Sequence, residues 1–290
     1  MIDGEVLQAI TADGNIPELL NWIEEADARL VAHVDWAVRL KKCERVVILS
    51  NDTDTVALLL RYMPYFQALG LKELWQQYGT GEKRRMLPLH QATSKLGAPL
   101  AKVVIKAHIL TGEDCMCKVG TKHAALACDP VQYLTNFGET GVLSEQDIEL
   151  AEKFLVRCWV GVRSTTAVDT FDQLRLEVYT SAVCGIDQLP PTSSVIRGHI
   201  SRAAYLINKA CNLLVTAHEQ EEPLEATDHG WEEKFGTLLP SKYLKPLPSS
   251  TVCICKCSGK CDTRRCGCRV AKVKCAMFCH GKNDKTSCKN

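Results

Sequence analysis

Residues 44–63 read ERVVILSNDTDTVALLLRYM, and the order of residue types in this run sets the expected fold. ERVVILS is a short, unbroken apolar run rich in β-branched residues, which predicts a strand buried on both faces. DTDTVALLLRYM follows with its apolar residues at helical spacing. Upstream, Leu30, Val31, Val34, Ala37 and Val38 recur at the same spacing and predict a second helix. Helix, buried strand and helix in that order predict an α/β unit with a parallel sheet. Downstream, KELWQQYGTGEKRRMLPL (72–89) predicts two strands joined by a Gly-Thr-Gly turn, and APLAKVVIKAHIL (98–110) predicts a helix.

Beyond residue 140 the pattern is mostly helical. Ser144 and Asp147 form a variant capping box ahead of IELAEKFLVRCWV. RGHISRAAYLINKACNLLV (197–215) predicts another helix, entered through LPPTS. HEQEEPLEATDHG (218–230) reads as a solvated loop, and LLPSKYLKPLPSS (238–250) as a linker. The 290 residues suffice for one substantial core and a small extra module. Composition is ordinary for a globular protein, at 46% hydrophobic and 24% charged. The opening MIDGEVLQAI has neither a basic nor an apolar leader region, and no run reaches the ~18 apolar residues of a membrane helix. A reducing compartment is the expectation. No Gly-x-Ser-x-Gly motif, phosphate loop or dinucleotide fingerprint is present. His33 and His108 fall on apolar helix faces and read as core histidines, and the five tryptophans are scattered as packing residues.

Nine of the sixteen cysteines lie in the last thirty-eight residues: Cys253, Cys255, Cys257, Cys261, Cys266, Cys268, Cys275, Cys279 and Cys288. Hardly any apolar residue accompanies them, so cross-links must replace a hydrophobic core. In a reducing compartment such clusters bind metal, and an odd count would strand a thiol among disulfides. Nine thiolates suit three tetrahedral zincs: six terminal and three bridging sulfurs supply the twelve bonds required. The tail also carries ten basic residues against Asp262 and Asp284, a net +8 in a chain of net +1. Part of that excess can neutralise thiolates; the rest favours a polyanion. The turn Thr263-Arg264-Arg265 is the candidate groove-entering tip, with Arg269, Lys272 and Lys274 beside it.

The spacing CKCSGKCDTRRCGCRVAKVKC resembles the tesmin-type CXC domain. That resemblance implies zinc, two or three ions here, and DNA as partner. The sequence departs from the family after Cys279: the usual next cysteine is replaced by Gly281, with His280 or Cys253 as the substitute ligand, and the spacing to Cys288 is long.

A second constellation is acidic. Asp52 and Asp54 follow the apolar strand, where open parallel sheets gather ligands, and in an extended segment they would face one way. Two such carboxylates suit a hard divalent cation. The bland alternative is a helix cap. Glu25 and Asp27 open the preceding helix, and Asp114 sits in LTGEDCMCKVGTK. In that order the three motifs resemble the second half of a PIN-like or flap-endonuclease-like nuclease domain. The resemblance implies that Glu25, Asp27, Asp52, Asp54 and Asp114 are magnesium or manganese ligands, and that Lys118, Gly120 and Lys122 form a DNA-gripping turn. Only twenty-four residues precede Glu25, and neither Asp3 nor Asp13 follows a buried strand, so the expectation is a truncated, degenerate copy with half a metal site. LPPTSSVIRGHISRAAY, HGW and the cysteine tail together also resemble transposon-associated proteins joining the two domains. Cys115, Cys117, Cys128 and His123 read as incidental rather than as a second zinc site.

The expected architecture is thus α/β: a partial parallel-sheet PIN-like domain (1–140), a helical extension (141–237), a linker (238–250) and a CXC zinc module (251–290). The expected function is zinc-dependent DNA binding in the nucleus, with chromatin proteins as further partners, no membrane association and an inactive nuclease-like domain. An active metal-dependent flap-type nuclease and a zinc-knotted interaction scaffold are the alternatives.

Overall fold

Helices outweigh strands in the computed structural model, which describes residues 10–11, 14–15, 25–161, 164, 167–181, 189–214, 224–241, 255, 257, 260–272 and 275. The chain divides into two units, Met1–Phe171 with Ser193–Ser241, and Asp172–Thr192 with Lys242–Asn290.

In the first unit, strands β1 (Ile10–Thr11) and β2 (Gly14–Asn15) form a short antiparallel pair. Helix α1 (Ala26–Arg39) buries Ala28, Val31, Val34, Asp35 and Val38; of the predicted stripe the three valines are buried, while Leu30 and Ala37 are half-buried. Full burial of each valine contributes roughly 1.5 kcal/mol or more. Strand β3 (Arg45–Leu49), helix α2 (Thr53–Ala68) and strand β4 (Glu73–Tyr78) form a parallel crossover, with Val47 opposite Trp75. Strand β5 (Arg85–Pro88) returns antiparallel to β4, after a 3-10 turn at Gly81–Lys83.

The mixed α/β class is as expected, but the sheet differs in two respects. Among the described residues only β3 and β4 pair in parallel, and the strand order β3-β4-β5 puts β3 at an edge. Nor is β3 buried on both faces: Ile48 is 6% exposed, while Val47 and Leu49 are 43% and 74% exposed. Among the described residues the face that carries Val47 and Leu49 is left open.

Helices α3 (Leu89–Leu96) and α4 (Ala98–Leu110) follow, and α4 packs against α2. Among its buried residues is Lys106, fully inaccessible. Its ammonium donates to the carbonyls of Leu134 and Thr135 at 3.1 and 2.7 Å and to Glu139 at 3.0 Å. Those acceptors offset its desolvation and anchor the turn after α6 (Pro130–Leu134). Short α5 (Lys122–Ala127) precedes it. Helix α7 (Glu145–Val160) opens on the expected capping box: Ser144 Oγ accepts from the Asp147 amide at 3.1 Å, and the Ser144 amide donates back at 2.9 Å. Helix α8 (Phe171–Ser181) starts at the division between units, and the long α9 (Ser193–Cys211) packs on α4 and α7.

Strands β6 (Trp231–Lys234) and β7 (Thr237–Pro240) form a hairpin. It occupies the end of the expected helical extension and the first residues of the expected linker. The chain reverses at Phe235 and Gly236, both at positive φ, and Arg202 holds the start of the hairpin: it donates to the Gly230 carbonyl at 3.3 Å and its guanidinium lies 5.7 Å from the Trp231 ring centroid.

The second unit contains α8 beyond Phe171, and the Arg175 guanidinium closes the loop after it by bonding the Pro190 carbonyl. The described tail cysteines, from Cys255 to Cys275, and the single-turn helix α10 (Gly267–Val270) belong to the same unit. Among the described residues no helix is long and apolar enough to cross a membrane.

Candidate functional site

The described part of the tail has a core made of sulfur. Cys255, Cys261, Cys266 and Cys268 are buried, and the half-buried Cys257 and Cys275 pack against them. Every other described residue from Lys260 to Lys272 is exposed. The thiols form two quartets whose sulfurs lie within 4.8 Å of one another: Cys255, Cys266, Cys268 and Cys275, and Cys255, Cys257, Cys261 and Cys266. Cys255 and Cys266 belong to both.

Spacing decides what such sulfurs can do. Cys255 Sγ lies 3.8 Å from Cys261 Sγ and 3.7 Å from Cys275 Sγ, and Cys266 Sγ lies 3.6 Å from Cys275 Sγ. A disulfide needs about 2.05 Å. A tetrahedron with metal–sulfur bonds of about 2.3 Å has edges of about 3.8 Å. The donor set and its spacing therefore fit a tetrahedral thiophilic ion such as zinc. Backbone amides assist: the Cys257 N–H holds the Cys255 thiol down to about 6, and the Arg269 N–H at the start of α10 lowers Cys266. Both shared cysteines are thus biased toward thiolate. Burial pushes Cys257 and Cys261 the other way, and a cation would reverse that.

Thr263, Arg264 and Arg265 form an exposed turn, with the Arg265 amide 3.4 Å from Thr263 Oγ1. Arg269 and Lys272 are exposed beside it. Cys253, Lys274, Cys279, His280, Gly281 and Cys288 lie outside the described residues.

Of the predicted carboxylates, Glu25 and Asp54 line a cavity of about 280 Å³ in the first unit. Asp52 is the N-cap of α2, its Oδ1 accepting from the Asp54 amide at 2.9 Å. Asp52 and Asp54 are therefore not an extended pair facing one way; the helix begins between them. Gln76, buried on β4, braces this cap by donating to the Ser50 and Asp52 carbonyls, both at 3.0 Å. Asp27 Oδ1 accepts from Thr55 Oγ1 at 2.8 Å. Burial raises its carboxyl above the usual range, and the charges of Asp52 and Asp54 add to the rise. Asp54 Oδ1 lies 2.5 Å from His108 Nε2, and that imidazole lowers the Asp54 carboxyl.

Two residues of this cleft escaped the sequence reading. The sequence places His108 on an apolar helix face, yet from the last turn of α4 it reaches Asp54. Its place next to the polar run TGED was the available signal. Glu113, not its exposed neighbour Asp114, lines the cavity. Burial raises Glu113, with Asp54, Glu25 and Asp114 repelling it further. The proposed metal-ligand set also needs correction. Among the described residues no three carboxylate or imidazole ligand atoms lie within 4.8 Å of one another. Asp27, Asp52 and Asp54 instead bond Thr55, the Asp54 amide and His108 respectively.

The expected DNA-gripping turn is differently employed. Lys122 donates to the His108 carbonyl at 2.6 Å and to that of Gly112; both it and Lys118 are exposed. Gly120, at φ +75°, lies so close to α7 that a Cβ there would stand 2.7 Å from the Cys158 carbonyl oxygen. It is a packing glycine. Cys115, Cys117, Cys128 and His123 form no metal-binding group among the described residues; Cys128 hydrogen-bonds Cys158 instead.

No family model, curated protein or solved structure matches the chain, so the family resemblances rest on their motifs alone.

Proposed function

We propose that the chain is a zinc-bound DNA-binding protein whose acidic cleft does not cleave DNA. The observation that carries this reading is the pair of cysteine quartets sharing Cys255 and Cys266 beneath an exposed basic turn. Two tetrahedral zincs need eight bonds; four terminal thiolates and two bridging ones supply eight. Cys253, Cys279 and Cys288 add thiolates for a third ion. Zinc in this role is structural: it replaces the hydrophobic core that the tail lacks. Two zincs leave six thiolates with two unneutralised charges. Lys260, Arg264, Arg265, Arg269 and Lys272, set against Asp262, exceed that and leave positive charge facing outward. Such a surface favours phosphates in a salt-sensitive way and reads sequence only where a side chain enters a groove. A DNA partner places the protein in the nucleus, beside chromatin proteins.

The carboxylates support no cleavage step. Divalent-metal hydrolysis needs oxygen ligands converging on shared ions, and here Asp54, Asp27 and Asp52 are engaged with His108, Thr55 and the α2 amides.

Native mass spectrometry is expected to find two zincs per chain, or three with the remaining cysteines engaged. Fluorescence anisotropy with duplex DNA is expected to show affinity falling steeply with salt, and Arg264→Ala with Arg265→Ala to weaken it. A folded, metal-free tail would refute the zinc reading. Absence of DNA affinity at low salt would favour a protein-interaction scaffold. Cleavage of flap or single-stranded DNA with magnesium or manganese, lost in Asp52→Ala, would reinstate the nuclease.

A further inference from the structure

Strand β3 leaves half of its backbone hydrogen-bonding groups at an open edge. The Glu73 amide donates to the Glu44 carbonyl at 3.0 Å, and the Ser50 amide donates to the Gln77 carbonyl at 3.1 Å. Backbone direction alternates along a strand, so Glu44, Val46, Ile48 and Ser50 bond toward β4. Arg45, Val47 and Leu49 therefore turn their N–H and C=O groups the other way, out of the sheet. Among the described residues nothing pairs with them there. Proteins ordinarily blunt such an edge with a bulge, a proline or a charge. The one charge on β3 is Arg45, and Glu73 of the neighbouring strand already holds it at 2.8 Å. Val47 and Leu49 are exposed beside it. Free amides and carbonyls next to exposed apolar side chains fit an added strand.

Charge decides which strand. Lys41 and Lys42 precede β3 and Asp52 follows it, all three exposed. Glu44 is already paired with Lys72. The edge thus has a basic entrance and an acidic exit. Two copies related by a two-fold axis lay their β3 strands antiparallel, and the entrance of each meets the exit of the other. With the axis at Val47, Arg45 stands across from the partner's Leu49, and Lys42 is directed toward the partner's Asp52. A parallel arrangement would set lysine beside lysine.

We propose that two copies of this chain pair through their β3 edges, antiparallel and centred on Val47, into a continuous sheet with three strands from each copy. The pairing covers Val47 and Leu49 on one face and the half-buried Val46 on the other. It consumes the edge, so assembly closes at the dimer. The proposal does not rest on the zinc tail or on DNA binding.

Sedimentation velocity of the full zinc-loaded chain tests it, alongside amide hydrogen exchange. A monomer–dimer equilibrium without larger species is expected, with the Arg45, Val47 and Leu49 amides gaining protection as the dimer fills. Val47→Lys, which sets two ammoniums against each other across the axis, is expected to weaken dimerisation at least about tenfold. Lys42→Asp is expected to weaken it, and Lys42→Asp with Asp52→Lys to restore it. Thermal unfolding checks that each variant folds. A monomer at every concentration would overturn the proposal, whether its β3 amides exchange freely or are protected by another segment of the same chain. So would open-ended assembly, unchanged dimerisation in folded Val47→Lys, or a folded double variant no tighter than Lys42→Asp alone.

Discussion

Cys255 and Cys266 differ from the other described cysteines because each belongs to both quartets. Replacing either by serine is expected to lower the zinc count by two in native mass spectrometry. Cys257→Ser or Cys268→Ser, each confined to one quartet, is expected to lower it by one. Equal losses across all four variants would contradict the shared arrangement. Lys106 makes a different case. Its ammonium is fully buried and satisfied by two carbonyls and Glu139. Lys106→Ala removes one donor from Glu139 and from both carbonyls and opens a cavity. We expect a loss of roughly 3 kcal/mol in urea unfolding. Gly120→Ala meets both a positive φ and the α7 backbone, and is expected to lower the melting temperature more than Gly161→Ala, where φ is positive but the space is open. Neither Lys106 nor Gly120 declares its role in the sequence. A lysine among apolar helix residues is partnered only by segments that fold beside it, and a glycine in a polar loop looks the same whether it faces DNA or a helix.

At the scale of elements, local signals were the most legible. Ser144 and Asp147 announced the start of α7, and the structure places both reciprocal hydrogen bonds there. Ser144→Ala is expected to cost about 1 kcal/mol in denaturant unfolding. The valine stripe of α1 and the turn between β4 and β5 were equally readable, because they depend on neighbours in sequence. Burial of β3 was not. Its apolar run fits a strand covered on both sides, but edge position and one-sided cover depend on what packs there. The β3–β4 pair also brings a titration. Arg45 donates to both Glu73 oxygens at 2.8 Å and Trp75 adds a bond at 2.9 Å, holding the Glu73 carboxyl at about 2 against an ordinary 4.5. A depressed carboxyl stabilises the fold above its unfolded value, and that contribution disappears as pH falls through the folded one. The stability difference between the native chain and Glu73→Gln is therefore expected to be constant above about pH 4.5 and to vanish toward pH 2.

For the whole molecule, the division into two units separates two sources of order. The first unit holds the apolar core, from Val31 and Phe66 to Phe154 and Ile207. The described cysteine quartets lie in the second. Chelation of zinc is accordingly expected to abolish DNA affinity while leaving most of the helical circular-dichroism signal, since α1 to α7 and α9 rest on hydrophobic burial. Loss of the helical signal with the metal would show that the two sources are coupled.

The sequence alone determined that the tail would be held by sulfur and would carry positive charge, because thiolate density, missing apolar residues and basic excess are properties of composition and spacing. It also set the helices whose periodicity is written in consecutive residues. Only the tertiary structure decided which cysteines stand in both quartets, that His108 meets Asp54 from fifty-four residues away, and that Glu113 rather than Asp114 lines the cavity. These outcomes depend on distances between segments remote in the chain, and no local pattern encodes such a distance.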